Sequence, residues 1–419
     1  MISKNQATEC FVYVTLPGQT EAVTAGRFVL TKNRDGTPLG KFVYGKSYLA
    51  RSDAVEIDPV ELKLSDETYE TTRLRGLFGA LRDAAPDSWG QRLIEKHSGK
   101  SMLGELDYLL ESPDDRAGAL SFGLGQEPPA PRRTFNKTLE LAKLQNIADA
   151  IVRGEIKKKD DDAIQIEELM KIGTSMGGAR PKTVVEDDQG LWIAKFNRAD
   201  DRWNYAKIEH AMLVLAKKCG ISAAESRVVE VGGKDVLLVH RFDRFKSGKG
   251  YARARMISGL TLLQADETER NRWSYISLAE EIRRVVANPS KDAPELFRRM
   301  CFNALISNID DHPRNHAVTA KEREWNLSAA YDLTPSPVIG QERRDLAMTC
   351  GDKGRFACAS NILSQHTRFL LGPVDAQTIV HNMRQQVSAN WNDVVRAEGV
   401  SEKDAEAIRG AFAYEGFDG

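Results

Sequence analysis

Paired cysteines are missing from this 419-residue sequence. The five cysteines are widely scattered and form no C-x-x-C pair; they are Cys10, Cys219, Cys301, Cys350 and Cys358. An odd, unclustered set argues against both a disulfide framework and a structural zinc site. We therefore expect a protein of the reducing cytoplasm.

The sequence also lacks net charge and long apolar runs. Its 59 lysines and arginines balance 60 aspartates and glutamates, which leaves a net charge of -1. No overall positive field exists to hold nucleic acid or an anionic membrane. No stretch approaches the roughly 18 apolar residues of a membrane span, and the first residues lack the apolar core of a signal peptide. The sequence thus predicts neither secretion nor membrane insertion.

The texture of the chain changes along its length, which at about 150 residues per domain has room for two or three domains. Short apolar runs at 11–14, 27–30, 41–44 and 48–50 alternate with turn residues, which is typical of a β-rich domain. We predict an α+β fold with a β-rich domain at 1–126, a linker containing a short helical segment at 127–163, a strand-rich lobe at 164–245, and a mainly helical lobe at 246–419.

Local patterns place the elements of the later segments. Strands are predicted at 182–186, 191–197, 227–231 and 236–240. A helix is predicted at 203–219 with Gly220 as its stop. Apolar residues recur every three to four positions from Tyr275 to Val285, and a further helix is predicted to start at Asp292 and Pro294.

The segment NIDDHPRNH at 308–316 concentrates polar chemistry directly after a helix that is predicted to be buried. On a loop, Asp310 could accept the proton of a hydroxyl nucleophile and the amide of Asn315 could bind Mg²⁺, because D-x-x-x-x-N is the spacing of protein-kinase catalytic loops. The alternative is a polar loop in which Asp311 caps a helix and His312 is solvated. The spacing alone does not decide between them.

Asp332 ends the short apolar run AAYD, at the position where kinases keep a second metal-binding carboxylate. Alternatively it only starts a turn. Lys195 lies among apolar residues in the predicted strand 191–197, and a buried ammonium requires an anion. Glu209 on the next helix and nucleotide phosphates would supply anions. The alternative is an edge-strand lysine with a solvated glutamate.

A glycine-rich segment, GTSMGGARPKT at 173–183, precedes that strand. Its backbone amides could turn toward phosphate oxygens, with Arg180 and Lys182 adding charge. It matches neither G-x-x-x-x-G-K-[ST] nor G-x-G-x-x-G, so a turn that binds nothing stays open. Zinc is discounted, because Pro313 separates His312 from His316 and no glutamate follows His312.

The order of these features favours a kinase over a set of unrelated loops. A glycine-rich turn, a strand lysine, a helix glutamate, a strand that breaks after Val239, a helix, an Asp/Asn loop and a final aspartate are the parts of a kinase in chain order. Chance would have to supply all of them together.

At this point the chain resembles the HipA family of type II toxin-antitoxin serine/threonine kinases. The resemblance runs nearly end to end and is carried by RDAAPDSWG at 82–90, DRAGAL at 115–120, TSMGGARPK at 174–182, HRFDR at 240–244, NIDDHPRN at 308–315, YD at 331–332 and GRFA at 354–357. It implies a protein-kinase-like, two-lobed fold with an additional N-terminal β-rich subdomain, ATP and Mg²⁺ as cofactors, and phosphorylation of a protein hydroxyl.

The resemblance also implies roles for individual residues. Asp310 aligns with the catalytic aspartate, Asn315 and Asp332 with metal ligands, and Glu209 with the ion-pair partner of the phosphate-binding Lys195. The implied nucleotide-binding residues are Ser175, Met176, Gly177, Gly178, Ala179, Arg180, Lys182, Lys195, Val239, His240, Arg241, Phe242 and His312. Ser175 also falls where family members carry an inhibitory autophosphorylated serine.

Two residues depart from the family pattern. His240 replaces an acidic residue of many relatives, which leaves backbone contacts to adenine possible. Asp311 follows the catalytic aspartate where relatives often have a smaller residue, so either carboxylate could be the base; spacing favours Asp310.

The resemblance implies a growth-inhibiting toxin whose family targets include aminoacyl-tRNA synthetases. The implied partner is a small helix-turn-helix antitoxin similar to HipB, through which alone operator DNA would be contacted. Two alternatives remain open, namely a small-molecule kinase on the same fold and a non-catalytic co-repressor subunit that binds the antitoxin. Since the net charge is close to zero, we expect poor binding to operator DNA without the partner.

Overall fold

The structure is a computed structural model that describes residues 8–99, 103–131, 135–153, 180–198, 200–248, 250–336 and 343–418. The chain divides into two compact units, neither of them continuous in sequence. The first comprises Met1–Ala194, Asp243–Ile257 and Thr319–Glu324, and the second comprises Lys195–Phe242, Ser258–Val318 and Trp325–Gly419.

Strands and helices are both numerous. The strands are β1 (Glu9–Thr15), β2 (Ala22–Lys32), β3 (Pro38–Tyr44), β4 (Thr68–Thr71), β5 (Leu120–Gly123), β6 (Asn136–Lys137), β7 (Lys182–Asp187), β8 (Gly190–Phe196), β9 (Ser226–Val231), β10 (Lys234–His240), β11 (Arg244–Ser247), β12 (Gly250–Arg253), β13 (Arg255–Ser258), β14 (Ala317–Ala320) and β15 (Asn326–Leu327).

The α-helices are α1 (Lys46–Leu49), α2 (Gly79–Asp83), α3 (Ser88–Ser98), α4 (Glu105–Glu111), α5 (Leu141–Arg153), α6 (Tyr205–Lys218), α7 (Gly259–Leu262), α8 (Tyr275–Val285), α9 (Pro289–Leu305), α10 (Ala359–Ser364), α11 (Pro373–Ala397) and α12 (Glu402–Ile408). Short 3₁₀ segments lie at Arg73–Gly76, Thr138–Glu140, Arg270–Arg272, Pro313–Asn315, His366–Phe369, Arg409–Ala411 and Glu415–Phe417. No helix of the described ranges is both long and apolar enough to cross a membrane.

The first unit is built around a five-stranded antiparallel sheet with the strand order β4-β3-β2-β1-β5. Alternate side chains such as Val12, Phe28 and Phe42 are completely buried on it. The strands predicted at 11–14, 27–30 and 41–44 are thereby confirmed as parts of β1, β2 and β3. The strand character predicted from the apolar run at 48–50 is wrong.

Residues 46–49 form the short helix α1. The amides of Leu49 and Ala50 donate to the carbonyls of Gly45 and Lys46, which closes a helical turn. The hydroxyl of Tyr48 donates to the carbonyl of Val55 at 2.7 Å, and the ring is buried. A tertiary hydrogen bond of a buried tyrosine outweighs the strand preference of a short apolar run.

Two of the sequence motifs hold each other in place within the first unit. The carboxylate of Asp243 accepts a hydrogen bond from the amide of Gly118 at 2.9 Å and one from Arg244 at 2.8 Å. Arg244 also donates to the carbonyl of Arg116 at 2.5 Å. Gly118 has φ +75°, and a side chain there would meet the backbone of Met256. The DRAGAL and HRFDR motifs are therefore joined by one buried network.

A buried ion pair joins β7 to the start of α3. The ammonium of Lys182 lies 2.6 Å from Oδ2 of Asp87, and both side chains are under a tenth exposed. Oδ1 of Asp87 meanwhile caps α3 by accepting from the amide of Gly90 at 2.8 Å. Asp87 therefore has a separate partner for each carboxylate oxygen.

Asp87→Asn should lower the free energy of unfolding by about 3 kcal/mol, because it removes one charge of a buried pair while the amide can keep the cap. Urea denaturation measures the change. The control is Asp53→Asn, which loses the exposed pair with Arg51 and should leave the free energy of unfolding nearly unchanged. Equal losses in the two variants would contradict the assignment of Lys182 and Asp87 as a buried pair that stabilises the fold.

The second unit contains the antiparallel strands β9 and β10 and most of the long helices. The strands predicted at 182–186, 191–197, 227–231 and 236–240 are confirmed as β7 to β10. Helix α6 confirms the prediction at 203–219, with the side chain of Asn204 as its cap and Gly220 at φ +77° after its end.

Helix α9 lies at the centre of the second unit and starts earlier than predicted. It begins at Pro289, because Asn288 caps it and proline is favourable in the first turn. Asp292, which was predicted to start the helix, lies buried in its first turn, and its carboxylate accepts a hydrogen bond from the amide of Leu327 at 2.9 Å. Side chains such as Leu296 and Met300 are completely buried. The end of this buried helix, at Leu305, leads almost directly into the segment that begins at residue 308.

Candidate active site

Three charged side chains meet in the second unit. Lys195 projects from the end of β8, and its ammonium lies 2.6 Å from Oε1 of Glu209 on α6 and 2.7 Å from Oδ1 of Asp332. Glu209 is buried because Ile208 and Met212 beside it belong to the apolar face of α6. Lys195 is 17% exposed and Asp332 is 40% exposed, so the cluster opens to solvent on the side of Asp332.

The charge of Lys195 is fixed by this environment. Burial by itself lowers the pKa of its ammonium, but the carboxylates of Asp332 and Glu209 act in the opposite direction and more strongly. The pKa is therefore raised above its usual value, and Lys195 stays cationic throughout the physiological pH range. A buried cation with one exposed carboxylate partner can exchange that partner for another anion.

Asp332 occupies a left-handed backbone conformation with φ +59°. Aspartate adopts this region at a modest cost, and such residues gather at functional sites. The preceding Tyr331 fixes the turn, because its hydroxyl donates to the carbonyl of Arg314 at 2.7 Å and its ring lies 5.6 Å from that of Phe242.

The segment from Asn308 to His316 alternates between buried and exposed residues. Asn308 and Asp311 are buried, whereas Ile309 and Asp310 between them are exposed. Within the described ranges no side chain pairs with the carboxylate of Asp310. Pro313–Asn315 form a 3₁₀ turn that leaves Asn315 only 7% exposed.

Asp311 differs from Asp310 in its exposure to solvent and in its hydrogen bonding. It is 1% exposed, and its Oδ2 accepts hydrogen bonds from the hydroxyl of Tyr275 and, at 2.8 Å, from Nε2 of His316. An acceptor hydroxyl cannot reach a carboxylate that is buried and already bonded. Of the two neighbouring carboxylates, that of Asp310 is the one exposed to solvent.

The remaining residues of the segment are placed as follows. The ring of His312 is half-buried and lies 6.2 Å from that of Trp273. Among the described residues none bonds to its Nδ1. His316 is used by Asp311, and the described part of the chain contains no group of three or more His, Cys, Asp or Glu that could hold a metal ion.

The HipA-like C-terminal domain matches residues 174–391, which is more than half of the chain. The chain belongs to the HipA family. The HipA N-terminal domain matches residues 21–123. The family inferred from the motifs is therefore confirmed.

Two proteins described as putative kinases are similar to parts of the chain. A Haemophilus influenzae protein named "Putative kinase" is 22% identical over 241 residues, which cover 52% of this chain and 69% of that protein. A Sinorhizobium fredii protein, "Putative kinase Y4mE", is 24% identical over 152 residues, 35% of this chain and 36% of that protein.

A solved structure of HipA shares the fold. It comes from Shewanella oneidensis MR-1, in a complex of the toxin-antitoxin proteins HipA and HipB with operator DNA. The TM-score is 0.69 at 16% identity, over 96% of this chain and 94% of that chain. The predicted kinase-like α+β fold with an N-terminal β-sheet subdomain is thereby confirmed.

The other residues that were predicted to bind the nucleotide in this HipA family member differ in their burial and in their partners. Val239 and Arg241 are buried, while His240 and Phe242 are half-buried. The amide of His240 donates to the carbonyl of Glu225 at 2.8 Å. Arg180 is half-buried, and Lys182 forms the ion pair with Asp87. The predicted residues Ser175, Met176, Gly177, Gly178 and Ala179 lie outside the described residues.

Tyr275 and Asn303 were missed as residues of the HipA site. Tyr275 satisfied the apolar repeat of α8 and was therefore predicted only as core, and Asn303 lies in the buried helix α9. The signal that could have found them is the pair of polar groups at fully buried positions, since buried polar groups require partners. Tyr275 donates to Asp311, 36 residues away, and Asn303 donates to the hydroxyl of Tyr275.

Proposed function

We propose that this HipA family protein is an ATP- and Mg²⁺-dependent protein serine/threonine kinase. The observation that carries the proposal is the contact of Lys195 with both Glu209 and Asp332, next to a segment that exposes Asp310. Phosphoryl transfer requires a cation for the phosphates, oxygen ligands for a metal and a base for the attacking hydroxyl. One unit of the fold contains candidates for all three.

The nucleotide would lie against Lys195, with Glu209 holding the lysine in place. The half-buried His240 ends β10, the half-buried Phe242 lies two residues later, and both would contact the base. His312 would face the phosphates, which suits a ring whose Nδ1 has no partner among the described residues. The glycine-rich residues 175–180 stay predicted phosphate contacts, whereas the ammonium of Lys182 is taken by its buried ion pair with Asp87.

Asn315 and Asp332 would hold the metal. Both offer oxygen atoms, which Mg²⁺ prefers, and Mg²⁺ usually takes only one or two protein ligands together with phosphate oxygens and water. A bound Mg²⁺ would neutralise charge on the transferred phosphoryl group. Asp332 is the more exposed of the two and already lies beside the cation that would meet the phosphates.

In the reaction, Asp310 would accept the proton of the acceptor hydroxyl as its oxygen bonds to the γ-phosphorus and the bond to ADP breaks. Lys195 would stabilise the negative charge on the phosphates. A base exposed at the tip of a buried segment suits an acceptor that arrives on another macromolecule.

Residues of a protein are the proposed acceptors, with an aminoacyl-tRNA synthetase as the candidate target and toxicity as the outcome. The Shewanella oneidensis HipA was crystallised with HipB and operator DNA. We infer a similar helix-turn-helix antitoxin for this chain, because a net charge of -1 offers little for direct DNA binding. Autophosphorylation at Ser175, a predicted nucleotide-binding residue, would add about two negative charges and oppose ATP binding.

Labelling tests this function. Purified protein, Mg²⁺ and γ-labelled ATP should label Ser175 and at least one protein of a cell extract. Loss of the extract labelling when macromolecules are removed from the extract supports a protein kinase, whereas labelled small molecules would indicate a small-molecule kinase. No labelling and no Mg·ATP thermal shift, with Ser175 unmodified by mass measurement, would indicate a co-repressor subunit.

Lys195→Met should weaken Mg·ATP binding about 10- to 100-fold, because it removes a charge-assisted contact worth about 1.5–3 kcal/mol. Calorimetric titration measures the change. The control is Lys217→Met on the same helix as Glu209; Lys217 pairs with Glu225 at 2.7 Å on the surface. Affinity unchanged in Lys195→Met, or lowered as much in Lys217→Met, would contradict the proposed phosphate site.

A further inference from the structure

A cluster of polar side chains lies buried beneath the segment that exposes Asp310. It consists of Tyr275, Asn303, Asn308, Asp311 and His316, which we call the loop anchor, and each is at most 3% exposed. Tyr275 begins α8, Asn303 lies near the end of α9, and the other three belong to the segment itself. All five lie in the second unit.

The loop anchor is a continuous chain of hydrogen bonds. Asn308 donates to Oδ1 of Asn303 at 3.0 Å, and Asn303 donates to the hydroxyl of Tyr275 at 3.2 Å. That hydroxyl donates to Oδ2 of Asp311, which also accepts from Nε2 of His316 at 2.8 Å. Asn308 further approaches the carbonyl of Asp332 at 3.5 Å.

The arrangement leaves little freedom to its members. A carboxylate without solvent must be hydrogen-bonded, and Asp311 obtains both side-chain bonds on one oxygen. The bond from His316 places the ring proton on Nε2, since a carboxylate only accepts. His316 is held from the other side as well, because its carbonyl accepts the amide of Gly259 at 2.7 Å.

The loop anchor grips the segment on both sides of Asp310. Asn308 lies two residues before Asp310 and Asp311 one residue after it, and both side chains point into the core while Ile309 and Asp310 face solvent. The carboxylate of Asp310 has no side-chain partner of its own within the described ranges. Its position is therefore set by its buried neighbours.

We propose that Tyr275, Asp311 and His316 are positioning residues that hold Asp310 and the adjoining Asn315 in the geometry for phosphoryl transfer. The inference rests on the proposed kinase function and adds residues outside the catalytic set. Helix α8 would contribute to the reaction through the hydroxyl group of Tyr275. A displacement of about 1 Å at a reacting group can cost about 100-fold in rate.

The variants Tyr275→Phe and Asp311→Ala test the positioning role. The rate of labelling of extract protein is measured over a series of Mg·ATP concentrations. We expect kcat to fall about 10-fold for Tyr275→Phe and about 100-fold for Asp311→Ala, with the KM for Mg·ATP changed less than about threefold. Loss of positioning alone lowers kcat and leaves nucleotide binding intact. General unfolding, in contrast, removes catalysis and nucleotide binding together.

The matched control is Tyr48→Phe in the first unit. Tyr48 is as buried as Tyr275, and its hydroxyl also bonds, to the carbonyl of Val55. Its loss should lower the melting temperature by a similar amount and leave kcat unchanged. If Tyr48→Phe and Tyr275→Phe lose kcat equally at equal stability, or if Tyr275→Phe and Asp311→Ala keep wild-type kcat, the positioning role is refuted.

Amide hydrogen exchange gives a readout that needs no kinase activity. In Asp311→Ala, exchange of the amides at 308–316 should rise at least about tenfold relative to wild type, while α11 keeps its protection. Unchanged exchange at 308–316 would overturn the inference even with an active wild type. If exchange at 308–316 is faster in Asp311→Ala but the wild-type protein shows no kinase activity, the loop anchor is supported as a structural feature and the proposed kinase function is rejected.

Discussion

Asp310→Asn is expected to reduce phosphoryl transfer about 1,000-fold. A positioned base contributes about 100- to 10,000-fold, and the amide of asparagine cannot accept the proton of the hydroxyl. Because Asp310 is exposed and has no side-chain partner in the described ranges, the substitution should leave the fold intact. The initial rate of labelling of extract protein measures the loss.

Two further measurements make this result specific. Mg·ATP at about tenfold excess over its Kd should still stabilise Asp310→Asn by about 1.4 kcal/mol, because the base does not hold the nucleotide. Asp393→Asn on the exposed face of α11 should retain the wild-type rate. An Asp310→Asn protein that labels as fast as wild type would exclude Asp310 as the base.

Asp332→Asn should be at least as damaging, with a loss of about 1,000-fold or more. The substitution keeps the size of the side chain but removes the charge that would bind Mg²⁺, and metal-ion stabilisation of the transition state is worth several kcal/mol. Unlike Asp310→Asn, this variant should also need far more Mg²⁺ for ATP to raise the melting temperature. A Mg²⁺ titration at fixed ATP measures that shift.

The control for Asp332→Asn must also remove a carboxylate from a lysine. Asp235 meets this condition, because it lies 3.0 Å from the ammonium of Lys207 in the same unit. Asp235→Asn should leave the Mg²⁺ requirement unchanged. A normal Mg²⁺ requirement in Asp332→Asn would show that the metal is held elsewhere.

Much of the site could be predicted because it depends on local rules. A lysine within an apolar strand requires an anion, and the buried face of the next helix offered Glu209. The spacing within 308–316 and the turn after Tyr331 were likewise visible as short patterns. Such rules act over a few residues and need no knowledge of tertiary contacts.

The rest depended on contacts between distant parts of the chain. No local rule connects Asp311 with Tyr275, or Lys182 with Asp87 across 95 residues. The start of α9 was misplaced because Asp292, a good helix cap in isolation, bonds to Leu327 instead. Each of these polar groups could have served two purposes, and only tertiary packing selects one.

The bond between Asp243 and Gly118 bears on the order in which the protein can form during synthesis. The first unit takes in Asp243–Ile257 and Thr319–Glu324 besides its N-terminal part, so its components leave the ribosome far apart in time. At about 5–20 residues per second, the 126 residues from Gly118 to Arg244 take about 6–25 s to translate. Through that interval the N-terminal sheet exists without Arg244, and a nascent chain released early would expose the site that Arg244 fills.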